Sequence, residues 1–221
     1  EGTQFVGHGH RVSFGFLTKD VMTHALAREQ AQLAADDVAA WNQLGCLSPH
    51  VYYVQSGGAL SGEKFAEMLA AEMEQKETSE PRGDLPTATA ANIADLRAMH
   101  ETRAANVGDV RLWQSEGSTA WTVVYEREEM FRPSCLNRFV FVKEVTDLAE
   151  TLRTAEMVRG QVSTVGLAAT KLDAAEIVRQ LAHWGVTRVC PIGQMQNPPL
   201  TWRHDGRPAL GDFVRWTDWE L

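Results

Sequence analysis

Cys46 lies in the stretch Trp41-Asn42-Gln43-Leu44-Gly45-Cys46-Leu47-Ser48-Pro49, where the chain changes character. Residues 19–41 before it are good helix formers with apolar residues at helical intervals, and His50-Val51-Tyr52-Tyr53-Val54-Gln55 after it is rich in strand formers. A thiol on such a break, beside Gly45, is placed to attack a carbonyl while nearby N–H groups receive the charge that develops on oxygen. A hydrolase-type cysteine also needs a histidine base and a group that orients it. His50 is near in sequence but on the following strand, and the spacing leaves open whether its ring reaches the thiol. The plain alternative is a buried, inert cysteine.

A second constellation is Glu128-Glu129-Met130-Phe131-Arg132-Pro133, which by itself reads as a solvated acidic turn. His8 and His10, with His24 further on, have no carboxylate or thiol set at ligand spacing, so no metal site is expected and the first two are read as loop residues contacting backbone.

Taken together, Asn42-Gln43-x-Gly45-Cys46 resembles the nucleophile segment of the aldehyde dehydrogenase superfamily. With Leu47-Ser48-Pro49 following, it is more narrowly similar to the LuxC-type fatty acyl-CoA reductases of bacterial bioluminescence. Glu128-Glu129-x-Phe131-x-Pro133 resembles the Glu-Glu-x-Phe-Gly-Pro segment of aldehyde dehydrogenases, with Arg132 where the wider family has glycine. Thr164-Val165-Gly166-Leu167-Ala168-Ala169 resembles the Tyr-Gly-Leu-Ala block that follows it. The resemblance implies an NADP(H)-dependent reductase that takes the acyl group of acyl-CoA onto Cys46 and releases it as an aldehyde. It further implies that Glu129 binds the nicotinamide ribose and Phe131 positions the nicotinamide ring. It covers only the C-terminal half of the family's usual length. Gly7-x-Gly9 is no dinucleotide fingerprint, and no general-base glutamate precedes Cys46, which fits an enzyme that does not activate water.

The elements that must carry these residues alternate between strand and helix periodicity. Strands are expected at 12–17, 50–55, 110–113, 120–125, 138–142, 162–169 and 186–190. Helices are expected from Lys19 to Trp41, from Ser61 through Lys76, over 87–105, from Thr146, and from a capping box at Asp173–Glu176 to Gly185. This order predicts an α/β fold, a mostly parallel sheet with helices on both faces, in the manner of the aldehyde dehydrogenase catalytic domain. Residues 1–190 are expected to form the cysteine-bearing domain, with 1–16 a residual end of a cofactor-binding half. Residues 191–221, with Trp202, Trp216 and Trp219, are expected to form an arm packed on the domain or on a partner subunit.

Length, charge and cysteine usage bound the function. A chain of 221 residues with 44% hydrophobic and 23% charged residues suits one large globular domain. Its net charge of −8 disfavours nucleic acid and anionic membranes as partners, and no apolar run is long enough to span a membrane. Three widely spaced cysteines argue for a reducing, cytoplasmic setting rather than a disulfide framework. The start, Glu1-Gly2-Thr3 without methionine, suggests a fragment or a processed product. The expected partners are acyl-CoA as substrate and either a second copy of the chain or an acyl-activating protein. The rival functions are a cysteine-dependent acyltransferase or thioesterase, and a non-catalytic interaction subunit.

Overall fold

The computed structural model describes residues 5–208 and 210–220, with no account of the Asp212 side chain; Glu1-Gly2-Thr3, Gln4, Ala209 and Leu221 lie outside the described residues. Seven strands form one sheet: β1 (Val12–Leu17), β2 (Pro49–Gln55), β3 (Val110–Gln114), β4 (Thr122–Glu126), β5 (Phe139–Val145), β6 (Val162–Ala168) and β7 (Val189–Pro191). Their order across the sheet is β3-β4-β5-β2-β1-β6-β7. All neighbours pair parallel except the β3–β4 hairpin. Parallel strands need crossover connections, and the helices that supply them cover both faces. That is why β1 is buried along its whole length and reads Val-Ser-Phe-Gly-Phe-Leu rather than alternating with polar residues.

One face carries α1 (Ala27–Ala39) and α2 (Gly62–Ser79), packed on Tyr52, Val54, Val140 and Val142. Helix α1 turns a stripe of Ala27, Ala31, Ala34, Ala35 and Val38 to the sheet, at the spacing of one helical face. The Tyr52 hydroxyl, buried beneath that stripe, donates to the Ala34 carbonyl at 3.0 Å. The other face carries α3 (Thr87–Val107), α4 (Leu148–Thr154) and α5 (Lys171–Trp184), whose Ile93, Leu148, Ile177, Leu181 and Trp184 close over Phe14, Phe16, Tyr53, Phe139 and Phe141. Each fully buried aromatic or aliphatic side chain here contributes about 1.5–3 kcal/mol.

Several boundaries differ from the sequence expectation, for local reasons. The helix expected from Lys19 begins only at Ala27, because Thr18–Met22 forms a short 3-10 turn whose cap residue makes no side-chain bond. The helix expected to end near Lys76 runs to Ser79, capped at its start by Ser61 Oγ as expected. Helix α5 is capped by Thr170, whose hydroxyl accepts from the Asp173 amide, so the capping box sits three residues earlier than Asp173–Glu176. Residues 12–16, expected to belong to the residual end of a cofactor-binding half, lie in β1 between β2 and β6 in this sheet.

His100 of α3 is buried between Phe139 and Phe141, and among the described residues neither ring nitrogen has a hydrogen-bond partner. Burial, the largest effect, lowers its pKa from 6.5 to about 4. Between those values the unfolded chain binds a proton that the folded chain refuses, so this group's stabilisation is lost as pH falls from 6.5 to 4. Asp37, raised to about 7 first by burial, acts in the opposite sense over the same range. Measured by urea unfolding, His100→Leu should therefore lose about 2 kcal/mol less stability than the parent chain on acidification across that window.

Candidate active site

Cys46 is presented by a turn that the backbone makes with effort. Trp41, Asn42 and Gln43 hold φ angles of 54°, 52° and 62°, three left-handed residues in succession, none of them glycine. Gly45, expected to supply the bend, is absent from the left-handed region. The chain then folds through a turn closed by the Ser48 amide on the Gly45 carbonyl at 2.9 Å, which leaves Cys46 exposed and drives Leu47 inward.

Four side chains fix this turn to its surroundings. The buried Gln43 carboxamide donates to the Pro49 and Phe139 carbonyls at 2.8 and 2.9 Å and accepts from the Phe139 amide at 2.9 Å, joining the amino ends of β2 and β5. Arg138 donates to Asn42 Oδ1, to Glu77 and to the Glu80 carbonyl. Ser13 Oγ donates to the Cys46 carbonyl at 2.8 Å while accepting from the Thr164 amide, at the point where β1 shifts register against both neighbours. Gln196, from the 191–221 segment, donates to Ser48 Oγ at 2.8 Å.

The sulfur opens onto a cleft of about 370 Å³ lined by His8, Gly9, His10, Arg11, Leu44, Gly45, His50, Pro133, Ser134, Leu136 and His204. His50 is buried, and its Nδ1 accepts the Ser134 amide at 3.0 Å. A ring nitrogen that accepts carries no proton, so the neutral imidazole is protonated at Nε2 and serves the cleft as a donor rather than a base. Burial first, and the neighbouring His10 second, lower its pKa to about 4 and keep it neutral. The other cysteines differ from Cys46 in being partly buried, and burial pushes Cys135 and Cys190 each up to about 11.

Glu129 does not join Cys46. It lines a separate hollow with Ser56, Ser61, Tyr125, Arg127 and Thr146, at the carboxyl ends of β2, β4 and β5. Strand β2 has seven residues, which puts Cys46, before its start, about 20 Å from that hollow. The cause is tethering. Buried Lys143 donates to the Glu128 carbonyl at 2.7 Å and pairs with Glu126 at 2.6 Å, and the Phe131 amide donates to the Thr154 carbonyl at 3.0 Å. Phe131 is 3% exposed, with its ring 6.3 Å from His50, so it backs the cleft from within the core instead of lining it. The two residues thus part company, Glu129 facing the carboxyl-end hollow and Phe131 packing behind His50.

The part of the cleft least legible in the sequence comes from its two ends. His8 Nδ1 lies 2.8 Å from Asp205 Oδ2, which also meets Arg11 at 3.2 Å, and the His8 and His204 rings stack at 4.5 Å with their planes 19° apart. The ligand-type atoms of His8, His204 and Asp205 lie within 4.8 Å of one another. Ring-nitrogen lone pairs lie in the ring plane, however, so two nearly parallel rings do not converge on one ion, and Asp205 Oδ2 is already shared by His8 and Arg11. In the 191–221 segment, Asp37 accepts the Gly193 and Met195 amides and Arg188 donates to the Gln194 and Met195 carbonyls, whereas Trp216 and Trp219 stand exposed.

Comparison with known proteins agrees with this architecture. A family model described as acyl-CoA reductase (LuxC) matches residues 1–216. Among solved structures, a mutant of the P. syringae indole-3-acetaldehyde dehydrogenase AldA, in complex with NAD+ and IAA, superposes with a TM-score of 0.63 at 13% identity over 88% of this chain and 40% of that one. An NAD-dependent aldehyde dehydrogenase from Burkholderia multivorans gives a TM-score of 0.60 at 17% identity over 89% and 38%. A mutant of proline utilization A from Bradyrhizobium japonicum gives 0.62 at 14% over 86% and 20%. The chain thus spans between a fifth and two fifths of the length of these structures, and at these identities they share its fold. No curated protein matched.

Gln43→Leu tests how the turn is held. It removes three interior hydrogen bonds, leaving the Phe139 amide only its 3.2 Å contact with the Leu136 carbonyl, at about 1 kcal/mol or more for each bond lost. A urea midpoint lowered by several kcal/mol equivalent is expected, and a variant as stable as the parent would show that the carboxamide does not fix the Cys46 turn.

Proposed function

The chain belongs to the acyl-CoA reductase (LuxC) family, and on that footing we propose that it carries the acyl-accepting thiol of an NADP(H)-dependent fatty acyl-CoA reductase, with Cys46 as nucleophile. The observation that carries this reading is the placement of Cys46, the exposed cysteine, on a pinned turn at the wall of a cleft. In the acylation step its sulfur attacks the thioester carbonyl, the carbon–sulfur bond to CoA breaks, and the acyl group stays on Cys46. Negative charge on the carbonyl oxygen would be met by the Cys46 amide and by the Nε2–H of His50. A bound nicotinamide would supply the hydride that releases the aldehyde. NADP(H), a long acyl chain, and Glu129 and Phe131 as contacts of the nicotinamide half are what the family resemblance implies.

The geometry bears differently on the two rivals. A thioesterase using His50 as base is disfavoured because the Ser134 amide occupies Nδ1, while one using another histidine of the cleft is told apart by the absence of a stable adduct on Cys46. An inert subunit is disfavoured because Cys46 is exposed. Among the described residues no helix is long and apolar enough to cross a membrane. The exposed Phe213, Trp216 and Trp219 suit contact with a protein partner, a second copy or an acyl-activating protein.

Incubation with a long-chain acyl-CoA, followed by peptide mass mapping, should give a stable acyl adduct on Cys46 with one CoA released per adduct. Cys46→Ala should abolish it, Cys135→Ala and Cys190→Ala should retain it, and Glu129→Gln should leave its rate within about twofold, as for a group remote from the chemistry. CoA release without an adduct would indicate a thioesterase, and no reaction at all would sink the reductase reading.

A further inference from the structure

The acyl transfer described above has a nucleophile and donors for the oxyanion, but no group yet to take the thiol proton. His50 cannot, since its free ring nitrogen already bears hydrogen. Among the described residues His10 has no carboxylate partner to orient it. His8 does. A carboxylate only accepts, so the 2.8 Å contact between His8 Nδ1 and Asp205 Oδ2 puts hydrogen on Nδ1 and leaves the Nε2 lone pair free. His8 and Cys46 line the same cleft, and the His8 side chain is 43% exposed while that of Asp205 is 5% exposed.

We propose that His8, oriented by Asp205, is the base that takes the proton of the Cys46 thiol and returns it to the departing sulfur of CoA. This rests on the acyl-transfer reading and adds the group that reading lacks. The Cys46 proton moves to His8 Nε2, directly or through one water, as sulfur attacks the thioester carbon. When the carbon–sulfur bond to CoA breaks, its electron pair stays on the CoA sulfur, which takes the proton back from His8. Nothing is oxidised or reduced, and His8 ends neutral.

The surroundings favour this cycle. Among the described residues Asp205 Oδ1 is buried without a partner, so the carboxylate has unused capacity to stabilise the imidazolium that forms midway. Arg11 fixes the geometry, donating from Nε to the His8 carbonyl at 2.8 Å and from NH1 to the Gly160 carbonyl at 2.6 Å while pairing with Asp205. Asp205 itself holds a φ of 54°, followed by Gly206 at 75°, a left-handed turn that aims the carboxylate back at the domain. The 191–221 segment thereby becomes part of the site, with Asp205 as a positioning residue.

Two rates at pH 7 test the proposal, each mapped to Cys46 by mass spectrometry: alkylation by iodoacetamide, and acylation by a long-chain acyl-CoA. His8→Ala should slow both about tenfold or more, and added imidazole, which can enter at an exposed site, should restore part of each. Asp205→Asn should behave similarly, and Asp205→Glu should recover much of the loss. Unchanged rates in His8→Ala would overturn the proposal. So would a loss that imidazole does not repair, because His8 would then only be holding the amino-terminal loop in place. If alkylation depends on His8 and the parent chain takes no acyl group, the base assignment stands and the reductase reading fails; acylation indifferent to His8 is the reverse.

Discussion

The hydrogen bonds of one buried carboxamide hold together the corner on which everything else rests. Gln43 closes three bonds between the amino ends of β2 and β5. Beside it two left-handed runs face each other, Trp41–Gln43 and Leu136–Arg138, six non-glycine residues in all. Each left-handed residue costs about 1–2 kcal/mol. Three bonds from Gln43 at about 1 kcal/mol each, and three from the charged Arg138 at about 1.5–3, are of the size needed to offset it. The strain persists because both runs are locked to each other by Arg138 on Asn42 and Gln43 on Phe139. The outcome is an exposed thiol on a turn that packing and hydrogen bonds prevent from relaxing.

Much of this was legible in residue order. Runs of Val, Tyr and Phe bounded by breaks marked the strands, Ser61 and Gly185 marked helix ends, and the switch from helix to strand marked Cys46 as a residue on a bend. The failures share a cause, which is that a local pattern does not say what distant residue will hold it. Glu129 matches a family segment by spacing, but Lys143 holds the neighbouring Glu128 carbonyl toward the carboxyl end of the sheet, while Thr154 holds Phe131 back beside His50. Val12–Leu17 looked peripheral because it came first, although its neighbours in the sheet begin at 49 and 162. His8 looked like a loop histidine because its partner, Asp205, is 197 residues away. A pair so separated shows only when the carboxyl-terminal segment is seen to return across the domain.

That return depends on the interior. Gly166 leaves room for Met195, whose sulfur would lie 2.7 Å from any Cβ placed there, and Asp37 and Arg188 grip the backbone on either side of it. Once Met195 is seated, Gln196 reaches Ser48 and the chain runs on toward His204 and Asp205. The turn that presents the thiol and the segment that presents the carboxylate are thus anchored in the same sheet, one through β2 and β5, the other through β6.

Electrostatics then separates the two ends of that sheet. Ligand crevices in open α/β sheets usually lie at the carboxyl ends of the strands. Here the carboxyl-end hollow, about 390 Å³, is lined by Glu63, Glu129, Glu144 and Glu150, against the single cation Arg127. On a chain of net charge −8, such a wall repels the phosphates of CoA or of a dinucleotide. The amino-end cleft has no carboxylate on its wall among the described residues; its cation, Arg11, is paired with Asp205 just behind it, and His50 is neutral, so this end carries little net charge. A polyanionic thioester of the kind proposed above would thus meet a repelling acidic wall at the carboxyl end of the sheet and no such wall at the end where Cys46 stands.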